Sequence, residues 1–353
     1  MTDKATTRER TRSPKPAGRV TIAQIAARAG VSPATVSKVL NGRDDVATDT
    51  RAAVQGLLDE AGYARRGGRA DRSRPRLMDL VVTDLGSLWA NEVLKGAEEE
   101  AQARGVGLVV TATHTSQVPS STWLKALVAR NSAGVVLVAS RLAAGAAAEL
   151  AALGIPLVLV DPVGGFDPAI PRVGAANWAG GLAATEHLIG LGHRRIGVIT
   201  GPMELLCSQE RLEGYKTAMA RAGLSVHPEL ICHGNFYPDD GRTGAAALLS
   251  LADPPTAIFA GSDQQATGVY VESRLRGMRL PEDLSIVGFD DVQLCQWLDP
   301  QLTTVRQPMA DMARLATRTV LDHRGQWRQA DIPGVELSTE LVVRASTAPP
   351  PQR

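Results

Sequence analysis

The polar side chains best suited to bind a small molecule follow directly after apolar runs of the sequence. Asp84, Asp161, Asp290 and Asp291 each stand at the end of such a run, and Arg211 lies early in a helical stretch. Carboxylates accept hydrogen bonds from sugar hydroxyls, and the carboxyl ends of parallel strands form the ligand-binding edge of an α/β sheet. We therefore expect these side chains to meet in one site for a polyhydroxyl ligand.

Four further residues could either bind the ligand or have only a structural role. Ser262 and Asp263 also follow an apolar run, but an aspartate there can cap the next helix. Trp89 and Trp178 offer aromatic faces that could stack on a sugar ring, although either could lie in the core or on the surface. Because aromatic residues make up only 4% of the chain, we favour a stacking role for both.

The sequence carries no motif of a familiar catalytic centre. It contains no G-x-S-x-G turn, no G-x-x-x-x-G-K-[ST] loop and no H-E-x-x-H helix. Its three cysteines, Cys207, Cys232 and Cys295, are too widely spaced for a zinc site. A glycosidase is the enzyme alternative, but Asp290 and Asp291 are adjacent and point in different directions. We expect no enzyme activity, no cofactor and no metal ion.

The elements around these residues alternate between apolar strands and amphipathic helices. This alternation is typical of parallel sheets covered by helices on both faces. Its repetition after a break predicts two similar lobes with a cleft between them. The predicted strands span residues 79–83, 107–112, 134–139, 156–160, 195–200, 256–261 and 285–288. The predicted helices span residues 91–104, 121–130, 143–153, 179–191, 209–222, 243–251 and 263–276.

The charge of the chain is divided between two parts. The 353 residues have a net charge of +1, but residues 1–76 contain 16 Lys and Arg against 8 Asp and Glu, a net charge of +8. The remainder contains 22 basic and 29 acidic residues, a net charge of −7. A basic segment on an acidic body indicates a polyanionic partner. On charge alone, a disordered basic tail is the alternative, and we expect residues 1–18 to be a flexible basic arm.

Beyond that arm, the pattern predicts a helix-turn-helix over residues 19–64. Thr21 and Gln24 form a capping box at the start of a first helix, Gly30 ends that helix, and Ser32 starts a second one. Two short helices joined by a glycine-containing turn are typical of a DNA-binding domain.

These residues closely resemble the DNA-binding head of the lactose/galactose repressor family. The resemblance is carried by residues 20–26 (VTIAQIA) and 29–41 (AGVSPATVSKVLN). It implies that Pro33, Ala34 and Lys38 read base edges, because a lysine can donate to guanine acceptors and an alanine can contact a thymine methyl. The other expected contacts to bases or phosphates are Thr21, Ser32, Thr35, Ser37 and Asn41.

The hinge segment, residues 65–76, departs from that family's pattern. Relatives carry a short helix that wedges a leucine into the minor groove, whereas this segment has no leucine and contains Gly67 and Gly68, which disfavour a helix. One interpretation is a plain solvated linker. The other is that its arginines contact the minor groove or phosphates instead, namely Arg65, Arg66, Arg69, Arg72, Arg74 and Arg76.

The resemblance extends over the rest of the chain. Landmarks of the family's effector domain occur in order at residues 192–196 (GHRRI), 211–215 (RLEGY), 260–263 (AGSD), 287–291 (VGFDD) and 302–308 (LTTVRQP). They imply a periplasmic-binding-protein-like domain over residues 77–345, whose chain crosses between the lobes near residues 173, 291 and 321. The resemblance also implies an effector cleft lined by Asp161, Arg211, Phe236, Ser262 and Asp290. To these we add Asp84, Trp89, Asn177, Trp178, Asp263 and Gln307. We expect Gln307 and Met309 at the cleft, where the chain crosses between the lobes.

The sequence thus predicts a cytoplasmic transcriptional regulator with an all-α helix-turn-helix head and an α/β effector domain of two parallel-sheet lobes. We expect a repressor that a sugar or short oligosaccharide releases from a pseudo-palindromic operator. A corepressor-dependent repressor of the same family is the alternative.

The two ends of the chain carry further expectations. The N-terminus has no apolar run, and no stretch is long enough to span a membrane. The tail, residues 346–353, contains three consecutive prolines and cannot form a helix. We expect this tail to be disordered and the protein to be a homodimer rather than a tetramer.

Overall fold

The chain divides into two compact units, Met1–Arg74 and Pro75–Arg353. The computed structural model describes residues 21–40, 43, 45–61, 77–114, 121–165, 167, 169–323 and 334–352. The predicted arm, Asn41 and the hinge segment with Arg65, Arg66 and Arg69 lie outside the described residues.

The described part of the N-terminal unit consists of three short helices: α1 (Ile22–Ala29), α2 (Pro33–Leu40) and α3 (Thr48–Glu60). The amide of Gln24 donates to the Thr21 hydroxyl and the amide of Thr21 donates to the Gln24 side chain, as the predicted capping box requires. Gly30 ends α1 with a φ of +65°, a conformation that favours glycine. The core of this unit is built from Ile25, Ala26, Val36, Val39, Val54 and Leu58.

The second unit alternates strands and helices along the chain. In order, its first elements are β1 (Leu77–Val82), α4 (Leu88–Ala103), β2 (Gly107–Ala112), α5 (Ser121–Ala129), β3 (Val135–Val138), α6 (Ala146–Ala152), β4 (Leu157–Val160) and β5 (Arg172–Ala175). They continue with α7 (Asn177–Gly190), β6 (Ile196–Thr200), α8 (Leu206–Arg221), β7 (Ile231–His233), α9 (Pro238–Leu249), β8 (Ala257–Ala260), α10 (Asp263–Leu275) and β9 (Ser285–Asp290). The last are β10 (Thr303–Arg306), α11 (Met309–Asp322), β11 (Val335–Leu337) and β12 (Glu340–Val342), with 3-10 helices at Pro228–Leu230 and Gln293–Gln296.

These strands form two six-stranded sheets, one in each lobe. The first lobe has the strand order β11-β5-β4-β3-β1-β2 and the second has the order β12-β10-β9-β8-β6-β7. All neighbours are parallel except β10 and β12. The central strands are buried on both faces, which explains why they are continuous apolar runs in the sequence.

Within the residues that the structure describes, three crossings between the lobes can be followed, and two of the predicted crossing points are wrong. The first crossing follows β5, near the predicted residue 173. Asp291 stays in the second lobe because the chain goes on to form β10, which pairs with β9; the second crossing is at Gln307 and Pro308. Leu321 lies within α11, which packs on the first lobe, and the third crossing connects β11 to β12.

Glycines allow two helix pairs to approach closely. A Cβ on Gly96 of α4 would lie 2.1 Å from the Ala310 carbonyl oxygen of α11, and a Cβ on Gly181 of α7 would lie 2.3 Å from the Arg211 carbonyl oxygen of α8. Ion pairs such as Arg318–Glu100 (3.1 Å) flank the α4–α11 contact. At both glycines a side chain would collide with the backbone of the neighbouring helix, so each helix pair can be this close only because glycine has no Cβ.

The C-terminal tail is ordered, contrary to the sequence prediction. The Ser346 side chain is buried and donates to the Ile286 carbonyl, while the Ala348 carbonyl lies 2.9 Å from Nε2 of the buried His193. Pro350 lies close enough to Gly192 that a Cβ there would touch its ring. The prolines exclude a helix, as predicted, but the extended chain satisfies its polar groups against the second lobe instead.

Candidate ligand cavity and nucleic-acid interface

The exposed face of α2 carries the residues predicted to contact DNA. Pro33, Ala34 and Lys38 are exposed, and Thr35 and Ser37 are half-buried, while Val36 and Val39 on the opposite face are buried. Helical periodicity therefore places these side chains together on one surface.

Two of the other predicted DNA contacts also stabilise helix ends. The Thr21 hydroxyl caps α1, and the Ser32 hydroxyl accepts from the amide of Thr35 at 3.1 Å at the start of α2. Both residues remain exposed. The Thr21 hydroxyl donates to Oε1 of Gln24 at 3.2 Å and would have to give up that bond to donate to a phosphate oxygen. The Ser32 hydroxyl lies 2.9 Å from that of Thr35, and either of the two can be the donor.

A cavity of about 650 Å³ lies between the lobes, where strands of both sheets end. The first lobe lines it with Thr83, Asp84, Ser87, Trp89, His114, Ala139 and Asp161. The second lobe lines it with Pro202, Glu204, Leu205, Cys207, Arg211, Asn235, Phe236, Tyr237, Asp239, Asp240, Ser262, Gln264 and Asp290. The predicted strand-end residues Asp84, Asp161 and Asp290 therefore do meet in one cavity.

Three charged residues form the inner end of the cavity: Asp161, Arg211 and Asp290. All three are buried, and Nη1 of Arg211 lies 3.8 Å from Oδ1 of Asp290. The guanidinium also donates to the Asn177 side chain at 2.9 Å and to the Gly261 carbonyl at 2.6 Å. Arg211 is therefore held in place by protein acceptors before any ligand arrives.

Burial raises the pKa of both carboxyl groups at the inner end. Burial raises the pKa of Asp161 to about 6, although the positive charge of Arg211 opposes the shift. Burial likewise raises the pKa of Asp290 well above its usual range, against the opposing charge of Arg211. One cation thus faces two carboxyl groups, and the charged form of each carboxyl is disfavoured by desolvation.

The outer end of the cavity consists of Asp84, Trp89 and Tyr237. The Tyr237 hydroxyl donates to Oδ2 of Asp84 at 2.7 Å, and the amide of Gly86 donates to Oδ1 at 3.0 Å. These two hydrogen bonds lower the pKa of Asp84, and burial together with Asp84 raises the pKa of Tyr237 to about 12. Because Tyr237 and Asp84 belong to different lobes, their hydrogen bond joins the lobes directly.

A second hydrogen bond joins the lobes beside the first. The amide of Leu88, at the start of α4, donates to Oε1 of Gln264 at 3.0 Å. Gln264 lies in the first turn of α10 in the other lobe. The two lobes are therefore held together at the outer end by protein groups alone.

The backbone around the cavity is strained. Five lining residues other than glycine have positive φ values: His114 (55°), Ala139 (44°), Asp161 (44°), Phe236 (70°) and Asp290 (121°). Each such conformation costs about 1–3 kcal/mol and persists only where the surroundings impose it. Strain of this kind is concentrated at functional sites.

Trp178 does not lie in the cavity, contrary to the prediction. It follows Asn177 at the start of α7, is 40% exposed, and its ring lies 5.9 Å from the Arg221 guanidinium. Helical geometry turns the buried Asn177 inward at the same end of the helix, so Trp178 faces outward.

Three more predicted residues lie behind the cavity wall instead of lining it. Asn177 accepts a hydrogen bond from Arg211, and the Gln307 side chain donates to Oδ1 of Asp290 at 2.6 Å. Asp263 points into the sheet, where it accepts from the Thr304 hydroxyl and from the amide of Val292 at 2.9 Å. The helix cap at this position is Ser262, so the capping alternative for Asp263 was also wrong.

The sequence missed a group of lining residues in the loop after β7. This loop carries Phe236 and Tyr237, and the first turn of α9 adds Asp239 and Asp240; of these four, only Phe236 was predicted. Because β7 has three residues, its apolar run is too short to mark a strand end. The signal was the composition of the segment itself, an aromatic pair and an acidic pair around a proline.

Two classes of site are absent from the part of the chain that the structure describes. It holds no group of three His, Cys, Asp or Glu side chains that could bind a metal ion. Among the same residues, no helix combines the length and apolarity needed to cross a membrane.

Each of the two units matches a known protein family. Residues 21–66 match the family described as "Bacterial regulatory proteins, lacI family", and residues 185–347 match the "Periplasmic binding protein-like domain". The HTH-type transcriptional repressor CytR of Escherichia coli (strain K12) is 33% identical over 332 residues, which cover 93% of this chain and 96% of CytR. The chain belongs to the lacI family of bacterial regulatory proteins.

Solved structures of lacI-family proteins share the fold. The complex of the transcriptional regulator CelR with cellobiose has a TM-score of 0.70 and 31% identity, and the match covers 93% of this chain and 100% of that one. The lac repressor dimer bound to operator and an anti-inducer has a TM-score of 0.72 and 23% identity, over 94% of this chain and 100% of that one. The predictions of a helix-turn-helix head and a two-lobed α/β domain are confirmed.

Membership of the lacI family identifies the chain as a DNA-binding transcriptional regulator. Its first unit is the family's helix-turn-helix, and its second unit has the periplasmic-binding-protein-like fold. The inter-lobe cavity is then the candidate site for the effector.

Proposed function

We propose that this lacI-family chain is an operator-binding repressor whose cavity binds a sugar or short oligosaccharide, which releases the protein from DNA. The observation that carries the proposal is the inter-lobe cavity of about 650 Å³, with Asp84, Asp161 and Asp290 among its walls and Trp89 at its outer end. Its volume lies within the range of about 300–1,000 Å³ that is usual for small-molecule sites.

The charge of the cavity favours a neutral polyol over an anion. Six carboxyl groups line it, those of Asp84, Asp161, Glu204, Asp239, Asp240 and Asp290. The guanidinium of Arg211 already donates to Asn177 and Gly261, so it is poorly placed to neutralise a phosphate or a carboxylate ligand. Carboxylate oxygens accept hydrogen bonds from hydroxyl groups, which a sugar supplies in number.

Ligand and operator are expected to be linked through the relative position of the lobes. The lobes are joined by the Tyr237–Asp84 and Leu88–Gln264 hydrogen bonds at the outer end, and a ligand that replaces these bonds changes how the lobes close. If sugar and DNA favour different closures, each weakens the other by the same free energy. The alternative, a corepressor, requires both to favour the same closure.

On the DNA side, we propose that α2 enters the major groove, with Lys38 donating to guanine acceptors and Ala34 contacting a thymine methyl. Thr21, Ser32, Pro33, Thr35, Ser37 and Asn41 complete the contact surface. We propose further contacts from Arg65, Arg66 and Arg69 to the minor groove or its phosphates.

We further propose that the protein works as a homodimer in the cytoplasm and that it is not an enzyme. A helix-turn-helix protein that reads a pseudo-palindromic operator needs two copies at a fixed spacing. Large apolar side chains in the second lobe support self-association: Leu275 of α10 and Trp297 are each 70% exposed. The Tyr270 hydroxyl ties α10 to the Pro300 carbonyl beside Trp297.

A thermal-shift screen of neutral mono- and oligosaccharides tests the sugar proposal. A ligand that binds the folded protein raises its melting temperature by mass action, and a true effector also weakens DNA binding in a mobility-shift assay. Asp161→Asn should abolish the shift, whereas Asp167→Asn, an exposed change outside the cavity, should preserve it. Sugar phosphates that stabilise the protein when neutral sugars do not would contradict the proposal.

A further inference from the structure

The exposed lysine of α2 is paired with an aspartate from outside that helix. Nζ of Lys38 lies 2.7 Å from Oδ2 of Asp45, and both side chains are about half exposed. The hydrogen bond from Lys38 is the main cause of the lowered pKa of Asp45. Lys38 is thus not a freely rotating cation on the surface that faces DNA.

The backbone around Asp45 is fixed against both neighbouring helices. The amide of Arg43 donates to the Lys38 carbonyl at 3.0 Å, and the Arg51 side chain donates to the Arg43 carbonyl at 2.5 Å. Val46 packs against the apolar core of the N-terminal unit. Asp45 is therefore presented from a defined position beside the last turn of α2.

An aspartate at this position works against general DNA binding in two ways. Its negative charge repels nearby phosphates, and it occupies a lysine that would otherwise release counterions by pairing with a phosphate. The charges of Lys38 and Asp45 cancel, so the other charged residues of 1–76 still have a net charge of +8, which supplies long-range attraction. The ion pair therefore weakens close contacts of this unit with DNA of arbitrary sequence, while the long-range attraction of the unit to DNA is largely kept.

We propose that Asp45 is a specificity-determining residue that positions Lys38 for base readout and withholds it from phosphates. A lysine ammonium has three donors, so Lys38 can keep one hydrogen bond to Asp45 while donating to N7 and O6 of a guanine. A phosphate contact would draw the ammonium away from Asp45. The inference depends on the proposed docking of α2 in the major groove.

The test compares Asp45→Asn with Asp49→Asn in the full-length protein. Asp49 is an exposed acid in the first turn of α3, so its substitution makes the same charge change without touching the pair. An operator is first selected from a random duplex library with the unaltered protein. Anisotropy titrations over a range of salt concentrations then give the affinity of each variant for that operator and for a scrambled duplex.

Asp45→Asn is expected to bind the scrambled duplex about threefold to fivefold more tightly, with a salt slope steeper by about 0.9, as one added phosphate contact implies. Its affinity for the operator should be unchanged or lower, so its specificity ratio falls. Asp49→Asn should keep the ratio of the unaltered protein.

Repeating the comparison in a protein that also carries Lys38→Met separates two effects of Asp45→Asn, the release of Lys38 and the loss of a negative charge. There, Asp45→Asn should no longer lower the specificity ratio, because no lysine remains to be released. A ratio that still falls, or that falls equally with Asp49→Asn, would overturn the role of Asp45. A selection that enriches no duplex would instead overturn the proposed operator function, and the inference with it.

Discussion

Replacing Arg211 with methionine should expose how strongly the inner end of the cavity depends on one cation. The change leaves Asp161 and Asp290 buried without a positive neighbour and leaves the acceptors on Asn177 and Gly261 without their donor. Removing one partner of a buried ion pair destabilises a protein by about 3–5 kcal/mol. The unfolding entropy of the unit Pro75–Arg353 is about 0.6 kcal/mol/K, so this loss corresponds to a fall in melting temperature of roughly 5–9 °C.

The effect should shrink as the pH is lowered. Loss of Arg211 raises the pKa of Asp161 and Asp290 further above their unfolded values, so the folded state binds more protons than the unfolded state. The variant therefore regains stability when the pH falls through the raised pKa values. Its difference from the unaltered protein should be largest near pH 7.5 and clearly smaller near pH 5.5, because protonation of these carboxyl groups removes their unpaired charge.

Denaturant unfolding at both pH values gives the free energy of unfolding of each protein. Taking the difference between the two proteins removes the contribution of groups that titrate identically in both. Arg221→Met is the matched control, because Arg221 is a largely exposed arginine on the same helix. Adding Asp290→Asn to Arg211→Met should restore part of the lost stability by removing one unpaired charge. The reasoning is refuted if Arg211→Met costs no more than Arg221→Met, or if its cost is independent of pH.

Two further predictions concern packing and the tail. Gly96→Ala should lower the free energy of unfolding by about 1–3 kcal/mol through overpacking of α4 against α11, whereas Gly190→Ala, which meets no atom within 4 Å, should not; equal effects in chemical denaturation would contradict the close contact. Burial lowers the pKa of His193, so the folded state binds fewer protons and stability is lost as the pH falls below about 6.5. His193→Gln should flatten that loss in melting curves, and an unchanged slope would exclude His193 as its source.

The sequence was sufficient for the long elements and for the strand-end residues. Every predicted strand and helix overlaps an observed one, and Asp84, Asp161 and Asp290 lie where parallel strands end. The sequence was insufficient for β5, β7, β10, β11 and β12. These strands are short and, unlike the equally short β3, β4 and β8, they are not continuous runs of buried apolar residues. The amphipathic helix α11 was also missed, although the crossing at Gln307 that precedes it was expected.

The misplaced site residues have a common physical cause. Sequence position shows that a side chain follows a strand, but the direction of that side chain depends on the first turn of the next helix. Asp263 turned into the sheet and Trp178 turned to the surface, whereas Gln264 and Tyr237 turned into the cavity. At the start of a helix, two residues that are neighbours in sequence point in different directions, so one can line the cavity while the other is buried behind it or exposed on the surface.

The hydrogen bond between Gln307 and Asp290 has a consequence for how such a sensor can be re-engineered. Gln307 lies at the crossing between the lobes, and its partner belongs to the inner end of the cavity. Ligand selection at the inner end is therefore inseparable from the switch, because any change at Asp290 also alters the crossing. At the outer end, Asp84 is likewise tied to the other lobe through Tyr237, whereas Trp89 takes part in neither of the two hydrogen bonds that join the lobes there. New ligand preferences are thus best introduced at Trp89, because the bonds that couple the ligand to lobe closure are then left unchanged.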